Sequence, residues 1–169
     1  MSLVVKISDF DSGINAVSYN GYQSSDFQWY IDKYEKHYLS VLLGVDLYNL
    51  FIADLDGNGV PQTPIYQAIY NEINEQINNE ILVNRGMKEM LKGFIYFHYV
   101  RDNATKQTTT GNKIIEGDSS MAITALSANI NLQFNDSIDD YRVIQHYINE
   151  NEVDYPDFLG QNLGYNLNL

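Results

Sequence analysis

The residues best suited to chemistry lie in the stretch from Asp54 to Gly59. Asp54, Asp56 and Asn58 occupy the first, third and fifth positions of a calcium-loop pattern, and Gly59 occupies the sixth. The twelfth position of such a loop supplies a bidentate carboxylate, but here it is Ile65, so calcium would be held weakly. Because Asp, Asn and Gly are also the residues of a tight turn, we interpret the stretch as a structural turn. The alternative is a calcium-dependent binding module.

The histidines show no arrangement that suggests catalysis. His37, His98 and His146 each follow a helical pattern beside tyrosines, without an HExxH pair or a serine relay, and we expect core or half-buried side chains. The adjacent Asp139 and Asp140 point to different sides of a helix and are interpreted as helix-start charges. The chain has no cysteine, no phosphate-binding glycine loop and no nucleophile elbow. The sequence therefore predicts no catalytic residues, no cofactor and no enzymatic activity.

Charge is distributed unevenly along the 169 residues, whose formal net charge is −12. Residues 85–113 carry a net charge of +4, whereas 1–84 and 114–169 each carry −8. Such an acidic protein is a poor general nucleic-acid binder, because phosphate contacts need clustered Lys and Arg. The basic segment is suited to an acidic surface of another subunit, unless the charges serve only solubility. No apolar run approaches the roughly 20 residues that a membrane helix needs, and the N-terminus lacks a secretory signal pattern.

Hydrophobic periodicity predicts one mainly α domain over 1–169, a small bundle of four to five helices. The central helix is predicted over 86–102, because apolar residues such as Met87, Met90, Leu91 and Phe94 recur at spacings of three and four. The surrounding helices are predicted from a capping box at Ser25 to Gly44, from Asp46 to Ala53, from Pro64 to Arg85, and from Asp118 to Asn151 as one helix or two. The third of these rests on an isoleucine at every fourth position.

Three segments fall outside the helical pattern. Residues 1–24 predict an extended lead-in that pairs with a strand elsewhere or lies on a neighbouring chain. Residues 103–117 predict a hairpin-like arm with Gly111-Asn112 as its two-residue turn, the alternative being an unstructured surface loop. Residues 152–169 predict an extended apolar tail that docks on its own domain or on a partner. The candidate interface residues of the arm and tail are Lys106, Thr108, Thr109, Thr110, Lys113, Tyr155, Phe158, Leu159, Leu163 and Tyr165.

The order of these segments resembles a known family. The resemblance is carried by the aromatic helices at 27–51, the isoleucine-striped segment, GMKEMLKGFIYFHYVRD at 86–102, TTTG at 108–111 and DDYRVIQHYI at 139–148. The family is that of the head-to-tail connector (adaptor, or neck-ring) proteins of tailed phages, in particular those of Bacteroidetes-infecting, crAss-like phages. The resemblance covers residues 26–150 and rests on helix order and aromatic spacing.

This resemblance implies a structural role in the virion. Family members are small helical bundles that assemble beneath the portal protein, commonly as rings of about twelve copies. Their arms and tails reach neighbouring subunits, and the ring passes DNA through its lumen and seats the next tail or neck protein. The resemblance thus implies a homo-oligomeric ring, made in the bacterial host cytoplasm and located in the virion neck. It implies neither specific DNA binding nor contact with a membrane.

Overall fold

A computed structural model describes residues 3–17, 24–103, 105–108, 111–114, 120–161 and 163. These residues form a mainly α fold, as predicted. The α-helices lie at Ser24–Leu43 (α1), Val45–Ala53 (α2), Pro64–Tyr70 (α3), Met87–Asn103 (α4) and Ser120–Glu150 (α5), and a short 3-10 helix spans Ile7–Phe10. Two separate antiparallel hairpins pair Asn74–Ile77 (β1) with Glu80–Val83 (β2), and Thr105–Thr108 (β3) with Gly111–Ile114 (β4).

Helix α4 is the centre of the fold, which confirms the predicted central helix. Its apolar stripe, including Met87, Met90 and Phe94, is fully buried. The flank of the stripe is buried as well, at Ile95 and Tyr99, because α1 and α5 both pack against α4. A stripe this wide is what a helix covered on more than one side requires.

Helices α4 and α5 approach each other closely at Gly93. A methyl group at that position would overlap the Ser137 hydroxyl and would lie 3.0 Å from the Gln133 carbonyl oxygen. The Ser137 hydroxyl donates a hydrogen bond to the same Gln133 carbonyl at 2.9 Å, so moving it out of the way would cost this buried bond. Glycine is therefore required for the two helix backbones to come together at this separation.

The predicted helix from Pro64 to Arg85 is wrong beyond Tyr70, where α3 ends and the β1–β2 hairpin begins after a short connection. Residues four apart share a face in a strand as they do in a helix, so the isoleucine spacing fits both structures. The Asn78-Asn79 pair favours the hairpin over the helix, because Asn78 adopts a left-handed φ of 55° in the two-residue turn. Ile69 and Ile73 of the isoleucine stripe are buried, but the hairpin then buries Leu82 and leaves Ile81 73 % exposed.

Two buried polar side chains fix the end of the hairpin to the helices. The Asn84 side-chain oxygen accepts hydrogen bonds from the Ile73 amide at 2.7 Å and the Gly86 amide at 3.1 Å. Arg85 donates from Nε to Asp140 Oδ2 at 2.9 Å and from its backbone amide to Oδ1 at 3.0 Å. Because α5 is continuous through this position, interpreting Asp140 as a helix-start charge is wrong. Its carboxylate instead anchors the chain as it enters α4.

The described part of the lead-in, residues 3–17, folds back on its own body, which corrects the expectation of an extended segment. The Glu35 carboxylate of α1 accepts hydrogen bonds from the amides of Leu3, Val4 and Val5 at 2.6 to 2.7 Å. Both valines are buried, and burial raises the pKa of Glu35 above its usual value although the three amide bonds act in the opposite direction. The Glu35 carboxylate, thirty residues from Val5, takes the place of a strand partner. The local alternation of apolar residues does not reveal such a distant acceptor.

Replacing Gly93 with Ala should destabilise the protein by about 1 to 3 kcal/mol, because the added methyl group overpacks the α4–α5 contact. The better helix propensity of alanine offsets only part of this cost. Urea unfolding followed by circular dichroism measures the difference. The matched control is Gly57→Ala, where nothing lies within 4 Å of the added carbon and the stability should be unchanged. Equal stability of the two variants would contradict the proposed close approach.

Candidate functional site

The stretch from Asp54 to Gly59, which we interpret as a structural turn with a calcium site as the alternative, forms a turn in which Asp54 holds the start of α3. Asp54 Oδ2 accepts hydrogen bonds from the Gln62 amide at 2.7 Å and the Thr63 amide at 2.8 Å. The Thr63 hydroxyl donates to the other carboxylate oxygen. These bonds, the one from the hydroxyl foremost, lower the pKa of Asp54. Pro64 then begins the helix at the first position, where its missing amide is not needed.

Asp56 closes the same turn from inside. Its Oδ1 accepts hydrogen bonds from the Asn58 amide at 2.8 Å and the Val60 amide at 2.9 Å, and these bonds lower the pKa of Asp56. Gly59 has a φ of 81° and lies so close to the Leu3 carbonyl that a Cβ would overlap it. In the part of the chain that the structure describes, no group of three or more acidic or histidine side chains is arranged to hold a metal ion. The geometry thus favours the structural turn.

Replacing Asp56 with Ala should lower the melting temperature, because two turn amides lose their acceptor. The loss should be the same in calcium and in a chelator, since the carboxylate serves the turn itself. Differential scanning calorimetry in the two buffers measures this. Asn58→Ala is the control. Asn58 occupies a ligand position of the calcium pattern, but its replacement keeps the Asp56 carboxylate that accepts the two amide hydrogen bonds. Stabilisation of the unmodified protein by millimolar calcium would revive the calcium-dependent alternative.

His98 is the most enclosed of the histidines and lies in an aromatic stack between α1 and α4. Its ring lies parallel to that of Tyr34, 3.7 Å apart between centroids, and its Nε2 is 2.8 Å from the Tyr38 hydroxyl. Among the described residues its Nδ1 has no hydrogen-bond partner. Burial, aided by Arg101, lowers the pKa of His98 to about 4. The prediction of half-buried histidines is confirmed for His98 and wrong for His37, which is exposed.

Lowering the pH from 7 to 5.5 should cost about 1 kcal/mol of stability through His98, after allowing for its partial exposure. The folded pKa of about 4 lies below the usual 6.5, so the unfolded chain takes up the proton first. This contribution is complete above pH 6.5 and is lost as the pH falls towards 4. Chemical unfolding at both pH values measures it.

The matched control is the double variant H98F/Y38F, which keeps the aromatic rings and leaves no buried hydroxyl without its partner. Its stability should change less between pH 7 and 5.5 than that of the unmodified chain. Glu35 and Asp140, whose raised pKa values act in the opposite direction, are common to both proteins and cancel in the comparison. Identical pH dependence in the two proteins would show that His98 does not titrate in this way.

A basic and aromatic surface lies above the His98 stack, at the end of α4 where the arm begins. The Lys33 ammonium lies 4.6 Å from the centre of the Trp29 ring and 4.7 Å from that of Tyr34. The Arg101 guanidinium lies 5.3 Å from the centre of the Phe97 ring. Trp29 is 55 % exposed, so the base of the arm presents cations and an aromatic face to solvent.

The predicted hairpin arm is confirmed by the pairing of β3 with β4. The position of its turn is wrong: Gly111 and Asn112 belong to β4, opposite Thr108 and Gln107. Thr109 and Thr110, both predicted interface residues, lie outside the described residues, as does the end of the segment at 115–117. Lys106 and Lys113 occupy directly opposed register positions. Such like-charge pairs destabilise an isolated hairpin.

The first part of the tail docks on its own domain, one of the two predicted possibilities. Tyr155 is buried at 3 % exposure and donates its hydroxyl hydrogen bond to the Ile65 carbonyl at 2.7 Å. Phe158 and Leu163 are partly buried against the same core. The prediction of Tyr155 as an interface residue is therefore corrected, because its ring and hydroxyl are both used within the chain.

The tail then runs alongside the C-terminal end of α1. The Leu159 amide donates to the Leu43 carbonyl at 3.3 Å, and the Gln161 amide donates to the Val41 carbonyl at 2.8 Å. These bonds satisfy carbonyls that α1 leaves free at its end. The Leu159 side chain is 69 % exposed and stays available to a partner, whereas Tyr165 lies outside the described residues.

The β1–β2 hairpin is a surface that the sequence prediction missed, since those residues were assigned to a helix. Ile81 and Val83 lie side by side on its outer face, 73 % and 59 % exposed. The signal in the sequence was Asn78-Asn79, a pair suited to a two-residue turn between short β-favouring runs. Exposed apolar neighbours on a short sheet are a feature of interaction surfaces.

Comparisons of this chain with protein-family models, curated proteins and solved structures find no match. None of the helices in the described ranges has the length and apolar character needed to cross a membrane.

Proposed function

We propose that this chain is a structural subunit of a homo-oligomeric ring in a phage neck, joining the portal protein to the tail while DNA passes through the lumen. The observation that carries the proposal is the β3–β4 arm. Its strands pair with each other, and β3 contacts the end of α4. An isolated two-stranded hairpin is marginally stable in water. An arm of this kind gains stability when another surface covers it.

The charge of the arm indicates which kind of surface would cover it. Lys106 and Lys113 face each other across the register, and no acidic residue lies between positions 103 and 115. A carboxylate-bearing partner would relieve the repulsion between the two lysines. The chain itself supplies such carboxylates, because the segments on either side of 85–113 each carry a net charge of −8. A second copy of the chain is thus a suitable partner.

A contact between an arm on one copy and a different surface on the next is heterologous, and heterologous contacts close into rings when the rotation permits. The body that carries the arm suits a structural subunit: α4 is enclosed by α1 and α5, and the helix crossing at Gly93 is tight.

The phage setting rests on the sequence resemblance to connector proteins. The excess of acidic residues suits a lumen through which DNA slides without sticking. The Asp54 turn gives no geometric support to the calcium-dependent alternative.

Protein identification on purified virions tests the proposal. We expect this chain in intact particles at a fixed ratio to the portal protein, and its absence from the particles would overturn the proposal. Image reconstruction of the neck then shows whether the copies form a ring.

Deleting residues 105–113 should leave the helicity of the isolated chain nearly unchanged and should impair assembly, because the arm contributes little to the body. Circular dichroism and light scattering measure the two effects. The control is a deletion-free chain carrying K106Q/K113Q, in which assembly should weaken less than with the arm removed. A large loss of thermal stability in the isolated chain would contradict the view of the arm as an assembly element.

A further inference from the structure

We infer that the β3–β4 arm of one copy docks on the outer face and edge of the β1–β2 hairpin of the next copy. This inference rests on the proposed ring assembly and names the surface that receives the arm. The receiving face carries Ile81 and Val83, whose register partners are Gln76 and Asn74. The two apolar side chains are 73 % and 59 % exposed, while the neighbouring Leu82 is buried at 6 %. The hairpin therefore turns two apolar residues inward, Ile77 and Leu82, and two outward.

The backbone of this hairpin is open to further pairing. The Asn84 amide donates to the Ile73 carbonyl at 3.0 Å, which makes positions 73 and 84 a hydrogen-bonded pair. Alternation along an antiparallel ladder then makes 74 with 83, and 76 with 81, non-hydrogen-bonded pairs whose backbone groups point outward. Among the described residues no third strand joins either edge. The residues with exposed apolar side chains thus also offer free amides and carbonyls, which is what an added strand uses.

The two hairpins have opposite charges. Glu72, Glu75 and Glu80 lie in the stretch 72–83, which holds no basic residue, whereas the arm holds Lys106 and Lys113. A fourth carboxylate lies at the tip of the receiving hairpin, where the Asn78 side chain donates to Glu150 at 2.7 Å. By the register, Glu75 and Glu80 lie on the Leu82 side of the hairpin, opposite to Ile81 and Val83, and Glu80 Oε2 is 3.4 Å from His146 Nε2. The carboxylates therefore meet the arm along the edge of the hairpin and not on its outer face. The opposite charges favour contact between the arm and this edge and disfavour arm–arm and hairpin–hairpin contacts.

Helix α4 prevents the two hairpins of one copy from meeting. β2 ends four residues before α4 begins, and β3 starts two residues after α4 ends, so the hairpins lie at opposite ends of the helix. The helix has 17 residues and is therefore about 25 Å long. Because α4 packs along α5 and separates the two hairpins, complementary surfaces at its two ends are available to contact each other between copies. Such an end-to-end contact repeats in one direction, as a ring requires.

Cross-linking tests this docking, and the absence of native cysteines makes the experiment clean. Single-cysteine chains carrying Val83→Cys and Gln107→Cys are mixed and treated with a short bis-maleimide. The expected result is about tenfold more mixed dimer than with Val153→Cys and Gln107→Cys, because docking raises the local concentration of the 83–107 pair. Val153 is 89 % exposed and lies after α5. A cysteine there is at least as accessible to the maleimide as one at position 83, but it lies outside the β1–β2 hairpin. Equal yields, or no dimer from either pair at high concentration, would overturn the docking.

Charge reversal gives a second test that is independent of cysteine chemistry. K106E/K113E should reduce assembly measured by light scattering, and combining it with E75K/E80K should restore assembly. The control combines K106E/K113E with E152K/D154K, two exposed positions that follow α5 and lie outside the hairpin, and restoration should be weaker. All these acidic positions are exposed, so the isolated chains should stay folded. Equal restoration by both sets would show a general charge effect and would overturn the specific contact.

The failure of this inference is distinguishable from the failure of the proposed function. A chain that is present in virions and forms a ring, but gives no 83–107 cross-link above the control, keeps its function and loses this docking surface. A chain that cross-links as expected but is absent from virions keeps the docking surface and loses the proposed place in the neck.

Discussion

The close crossing of α4 and α5 at Gly93 is the constraint on which the other contacts depend. Only a residue without a side chain lets α5 pass so near that the Ser137 hydroxyl occupies the place of a Cβ. The crossing sets the depth at which the buried stripe of α4 lies, and α1 then covers the remaining face with Tyr34 and Tyr38. Because dense interiors do not deform gradually, a wider crossing would loosen every layer built on it.

Segments without regular structure are held by side-chain acceptors that replace a missing sheet or helix. Glu35 receives three amides of the N-terminal segment, Asn84 receives two amides around the hairpin, and Asp140 receives an amide and the guanidinium of Arg85. Asp54 does the same for the entry to α3. Buried amides need such partners, because an unsatisfied one costs about 1 to 3 kcal/mol. A chain with few long strands can therefore still order its connections.

The same architecture separates the two surfaces that we propose for assembly. α4 lies enclosed in the body and carries a hairpin at each end, one acidic with exposed Ile81 and Val83 and one basic with Lys106 and Lys113. In that proposal the enclosed α4 keeps the two hairpins of one copy apart, whereas a flexible link would let them meet within one copy. The docked tail adds to this rigidity: Tyr155 and the Gln161 amide fasten it to Ile65 and to the end of α1.

The sequence by itself determined the elements whose pattern is local: the central helix with its stripe of Met87, Met90 and Phe94, the mainly α class, and the existence of an arm hairpin. Only the tertiary structure decided the rest, because the deciding contacts join residues far apart in sequence. The isoleucine spacing fitted a helix and a hairpin equally. The hairpin formed because Asn78 adopts a left-handed turn conformation and because Leu82 is buried in the core. The site was less predictable than the fold: Tyr155 and the lead-in have apolar patterns that suit a partner, yet Ile65 and Glu35 of the same chain take them up.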